Sequence, residues 1–96
     1  MPSELRLKLF IAGDSPRARE AAANLARAVR DLPDGGAQVE TVDVLENPDA
    51  ADEYRILTTP TVVRESPAPR RRVTGDLRDT AQVLAALNLF PGNPTP

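Results

Sequence analysis

The chain contains no cysteine and no histidine. Without thiols there is no disulfide, no thiol–disulfide exchange and no thiolate metal site. Without imidazole the usual general base of neutral pH is also missing. Aromatic residues are scarce: Phe10, Tyr54 and Phe90 are the whole set, so a stacking platform for single-stranded nucleic acid is not expected. No sign of charge dominates, the net being −2, which leaves no overall basic footprint for DNA or RNA. No run nears the roughly 18–20 apolar residues that span a bilayer, and Met1-Pro2-Ser3-Glu4 lacks the basic and apolar regions of a secretory leader. A cytoplasmic protein without membrane contact, cofactor or metal is the expectation.

What the chain does have is 41% hydrophobic and 27% charged residues in a length of 96, which suits one small domain with a modest core. Ten prolines punctuate it. Leu5-Arg6-Leu7-Lys8-Leu9-Phe10-Ile11 alternates and then turns fully apolar, the pattern of a strand with Leu5, Leu7, Leu9 and Ile11 on its core face. Ser15-Pro16 is a helix start, with the hydroxyl as cap and proline at the first helical position. From Arg17 to Asp31 the residues Ala18, Ala21, Ala22, Leu25, Ala26, Val29 and Leu32 recur at helical spacing, while Asn24 and the arginines are expected to face water. Pro33-Asp34-Gly35-Gly36 then leads to a strand over 38–44, which makes a βαβ unit with parallel strands.

Asn47-Pro48 repeats the start signal for a short helix over 49–56, with Ala50, Ala51, Tyr54 and Leu57 as its buried side. Thr58-Thr59-Pro60-Thr61-Val62-Val63 follows, a β-branched strand entered through a Thr-Pro bond that has only a small preference for trans. Ser66-Pro67-Ala68-Pro69 is a rigid turn into Arg70-Arg71-Arg72-Val73-Thr74, and the two strands can pair as a hairpin. The arginine run reads as a solvated edge that discourages edge-to-edge pairing, with a basic patch for nucleic acid or phosphate as the alternative. Asp79, three residues before Gln82, caps a last helix over 80–88 with Val83, Leu84 and Leu87 as its core stripe; Leu89 and Phe90 follow. The domain thus spans 5–90, between a tail at 1–4 and a proline-rich, disordered tail at 91–96. The order β-α-β-α-β-β-α is that of a thioredoxin-like α/β domain.

Four stretches, 7–16, 42–48, 56–63 and 71–77, together resemble the KaiB family of circadian-clock proteins, over about residues 5 to 90. The resemblance implies a non-enzymatic protein that binds the hexameric KaiC ATPase ring and, in full clocks, captures KaiA. It implies metamorphism as well, with a thioredoxin-like form and an alternative form, commonly a tetramer, in which the second half rearranges. By the same resemblance the partner surface is made by Ala51, Asp52, Tyr54 and Arg55, with Lys8, Arg71 and Arg72 beside it. The fold-choice positions are Thr59, Pro60, Gly75, Asp76, Ala86 and Asn88. Clock members show a Gly and an Asp where this chain has Ala86 and Asn88, and alanine favours a helix interior over glycine by about 0.8–1 kcal/mol. The thioredoxin-like monomer is therefore expected here, ahead of a dimer or tetramer. Glu20 and Glu40 stand where those members place basic residues, so a KaiC-like ATPase alone is the expected partner rather than KaiA. Two alternatives remain: an interaction module for a SasA-like histidine kinase, and a degenerate glutathione-using enzyme with Ser15 at its site.

Overall fold

The alternating run becomes strand β1 (Arg6–Ile11), and α1 (Pro16–Val29) carries the chain to β2 (Gln38–Asp43), which pairs with β1 in parallel. In this computed structural model residues 5–30, 32 and 36–89 are described. The expected tails, Phe90 and the Pro33-Asp34-Gly35 connection lie outside the described residues. Helix α2 (Pro48–Tyr54) leads to β3 (Thr61–Ser66), antiparallel to β1; β4 (Arg71–Thr74) returns beside β3, and α3 (Thr80–Ala86) closes the domain. The sheet order is β2-β1-β3-β4, so the expected element order and both expected pairings are present, with the arginine strand at an edge.

The sheet is covered on both faces. Leu5, Leu7, Leu9 and Val62 meet Ala21, Leu25 and Ala28 of α1 and Val83 and Leu87 of α3. On the other face Phe10, Val42 and Val63 meet Tyr54 of α2. This corrects the reading of β1 as a strand with one buried face: its fully apolar end, Leu9-Phe10-Ile11, is apolar because both faces are packed there. In α1 the buried stripe is Ala18, Ala21, Leu25 and Ala28, while Ala22 and Ala26 are exposed. Asn24, expected in water, is buried. Its amide donates to the Asp76 carbonyl at 2.7 Å and its oxygen accepts from Arg27, so the buried polar group is satisfied.

Ser15 accepts from the Ala18 amide at 3.1 Å and Asp79 from the Gln82 amide at 3.1 Å, as their spacing predicts. Asn47 does not cap α2 with its side chain. Both short helices also stop earlier than periodicity suggests, and for one reason. A residue in the left-handed region ends each: Arg55 at φ 54° after α2, Asn88 at φ 59° after α3. Beyond Arg55 the chain swings outward, and Leu57, expected inside, is 93% exposed. Beyond Asn88 it swings inward. The Leu89 amide donates to the Leu84 carbonyl at 2.7 Å and the Asn88 amide to the Ala85 carbonyl at 3.0 Å, which returns Leu89 to the core. Asn88 is thus the residue after the helix end, not a residue of the helix. Asn88→Ala should lower stability by up to about 1 kcal/mol, because the short polar side chain of asparagine is tolerated in the left-handed region better than a methyl group, and Asn88→Gly, which has no β-carbon, should not. Urea unfolding of the three proteins checks this; equal midpoints for the alanine and glycine variants would refute it.

Candidate functional site

Tyr54, the last residue of α2, organises one face of the sheet. Its ring lies 5.2 Å from that of Phe10, and it is only 5% exposed. Its hydroxyl donates to Glu65 of β3. The Lys8 ammonium lies 4.9 Å and the Arg70 guanidinium 4.5 Å from the same ring centroid. Both cations also reach Glu65, at 3.6 and 3.2 Å. Tyr54 and Lys8, expected at the partner surface, are therefore largely committed to an internal network that fixes α2 on the sheet.

That network shifts its own titrations. The Tyr54 hydroxyl, followed by the charges of Lys8 and Arg70, holds the Glu65 carboxyl below its ordinary value of 4.5 against the opposing effect of burial. Lys8 is raised above 10.5, first by its interaction with Tyr54 and then by the two glutamates. A lowered carboxyl contributes stability that is present above its unfolded pKa and lost as pH falls through the folded one. Tyr54→Phe should cost about 1–2 kcal/mol near pH 7 and progressively less as the pH falls below the ordinary carboxyl value of 4.5, until Glu65 is protonated in both proteins. Unfolding by urea at both pH values tests it; a difference that does not shrink in acid would assign the effect to packing.

Arg72 supplies the second fastening. From β4 it donates to the carbonyl of Arg55 at 3.0 Å and to that of Tyr54. It neutralises the carbonyl end of α2 and sets the direction in which the chain leaves the helix. What remains facing outward is the Arg55 side chain, with exposed Asp52 and half-buried Ala51 on the same helix. Arg71 is exposed, but alternation along β4 sends it to the opposite face from Arg72, so the structure does not bring it to this surface.

The Thr59-Pro60 bond is cis, and the Gly75 amide donates to the Pro60 carbonyl at 3.0 Å. Gly75 sits at φ 112°, a conformation that favours glycine. With Asn24 holding the Asp76 carbonyl, four of the six fold-choice residues, Thr59, Pro60, Gly75 and Asp76, meet beside the entrance to β3. Ala86 and Asn88 stand at the other end of α3. A cavity of about 230 Å³ lies between Ser15, Arg17, Ile11 and the Thr59-Pro60 bond. It is where the glutathione reading would place its ligand, but the Ser15 hydroxyl oxygen already accepts from Ala18 as the helix cap.

A family model of the KaiB domain matches residues 8–89. The chain belongs to the KaiB family. It is 39% identical over 85 residues to circadian clock protein KaiB3 of Synechocystis, covering 88% of this chain and 83% of that one. It is 40% identical over 86 residues to the circadian clock oscillator protein KaiB of Synechococcus elongatus, covering 90% and 84%. Among solved structures it resembles the N-terminal domain of Synechococcus elongatus SasA at a TM-score of 0.76 and 22% identity, over 97% of this chain and 91% of that one. It also resembles mitochondrial thioredoxin 3 of Saccharomyces cerevisiae at a TM-score of 0.70 and 18% identity, over 90% and 78%. These neighbours establish that this KaiB-family chain has the thioredoxin-like fold. No helix among the described residues is long and apolar enough to cross a membrane.

Three residues that hold this KaiB-family domain together were not singled out by their sequence context: Glu65, Asn24 and Arg64. The first reads as an ordinary strand residue and the second as a helix-surface amide. For Arg64 one signal was available: an arginine between Val63 and Glu65 falls on the same face as Val62, which is a core position.

Proposed function

We propose that this KaiB-family protein is a non-catalytic regulator that binds a KaiC-type hexameric ATPase, using the outward end of α2. Family membership across residues 8–89 is the observation that carries this reading. The local geometry is consistent with it. Arg55 projects a cation from a backbone pinned by Arg72, with Asp52 and the exposed Leu57 close by in sequence, and a rigidly held charge beside apolar surface is what a protein partner can recognise. The working form in this proposal is the thioredoxin-like monomer.

The test uses the purified chain and a KaiC-type hexameric ATPase, mixed with ATP, with ADP and without nucleotide. Co-elution on size exclusion with light scattering should depend on the nucleotide. The chain alone should elute with the mass of a monomer and should release no phosphate from ATP. Separate elution in all three conditions would overturn the proposal.

A further inference from the structure

Arg64 is a charged residue in the core. It lies on β3, is 5% exposed, and forms no ion pair with any carboxylate among the described residues. Burial, and after it the like charge of Arg71, pulls its guanidinium below the ordinary arginine range. Among the described residues two contacts compensate it. Nη1 donates to the Leu87 carbonyl at the end of α3, at 3.0 Å, and Nη2 to the Pro69 carbonyl in the β3–β4 turn, at 2.9 Å. Nε is buried and has no hydrogen-bond partner among the described residues.

A buried cation supported only by carbonyls is stable only while every one of them stays in place. Losing either leaves the guanidinium a single partner for its five N–H groups, and moving into water then becomes its better alternative. The two carbonyls belong to segments 18 residues apart in the chain, Pro69 before β4 and Leu87 after α3. We propose that Arg64 is a clasp that couples the β3–β4 turn to the C-terminal end of α3, so that the two open and close as one unit ahead of the rest of the fold. This inference goes beyond ATPase binding and does not depend on it.

The expected behaviour is visible in amide exchange. The Leu87 and Leu89 amides are hydrogen-bonded to Val83 and Leu84 and report on the end of α3, while α1 amides such as that of Leu25 report on the rest. Pro69→Gly loosens the turn without touching α3. In the otherwise native protein it should accelerate exchange at Leu87 and Leu89 by at least about fivefold and leave Leu25 unchanged. In the Arg64→Met background the same substitution should change Leu87 and Leu89 by less than about twofold, because the connection is gone. If the Arg64→Met protein does not fold, the Arg64→Lys background replaces it. Its single ammonium keeps the charge but cannot span both carbonyls with a rigid fork, and it too should lose the coupling. Equal acceleration in both backgrounds, or acceleration that includes Leu25, would overturn the clasp.

Discussion

Phe10→Ala is expected to remove most of the stability of this domain. Phe10 is fully buried between Val42, Val63 and the Tyr54 ring. Truncating such a ring costs about 3–5 kcal/mol, the transfer free energy plus that of the cavity left behind. A chain of this length has about 5–14 kcal/mol in total, and small cores lie toward the low end. The loss should be severe for a second reason. The α2 face of the sheet is closed by one short helix, which has a single fully buried side chain, Tyr54, and Phe10 is what that side chain rests on. A urea titration should show a midpoint less than half that of the parent, at an unchanged slope. Leu57→Ala deletes as much aliphatic surface as any leucine truncation, yet it should shift the midpoint hardly at all, because Leu57 is already in water. A Phe10 variant as stable as the Leu57 variant would mean that α2 does not depend on this face.

The contrast between Phe10 and Leu57 also marks where sequence reasoning stopped being sufficient. Periodicity identified every strand and helix, because core patterning is local: Leu5, Leu7 and Leu9 announce a face within five residues. It assigned Leu57 to the core by extending the rhythm of α2 past Tyr54, and what breaks that rhythm is not local. Arg55 adopts a left-handed conformation that arginine does not prefer, and the carbonyls it turns outward are met by Arg72, 17 residues further on. Asn24 is similar: its partner, the Asp76 carbonyl, is 52 residues away, so nothing nearby distinguishes it from an exposed asparagine. The candidate site divides in the same way. Family likeness named Tyr54 and Arg55 together, whereas packing separates them into a support and a projecting charge. The arginine run, read as one solvated edge, divides into three roles. Arg70 lies over the Tyr54 ring, Arg71 faces the other side, and Arg72 ties down α2.

That separation gives the largest expected effect on binding. Arg55→Glu should weaken association with a KaiC-type ATPase by about 10- to 100-fold, about 1.4–2.8 kcal/mol, the cost of reversing an exposed charge that faces a complementary surface. The fold should be indifferent to the change. The Arg55 amide donates to the Asp52 carbonyl and the Arg55 carbonyl accepts from the Arg72 side chain, the Arg55 side chain itself makes no hydrogen bond or ion pair among the described residues, and glutamate is strained in the left-handed region to a similar degree as arginine. Unfolding midpoints of the two proteins should therefore agree within about 0.5 kcal/mol. The binding defect should grow as salt is lowered, as expected for a charge near the rim of an interface. Arg72→Ala provides the complementary case: it removes the donors that hold the end of α2, so it should lower stability and affinity together, as a positioning residue does. Arg71→Glu makes the same charge reversal on the opposite face and should leave affinity within about twofold of the parent. Surface-based affinity measurements at two salt concentrations, alongside urea unfolding, distinguish the three. If Arg55→Glu binds as the parent does at low salt while Arg71→Glu does not, the partner sits on the other face of β4 and the α2 surface is not the site.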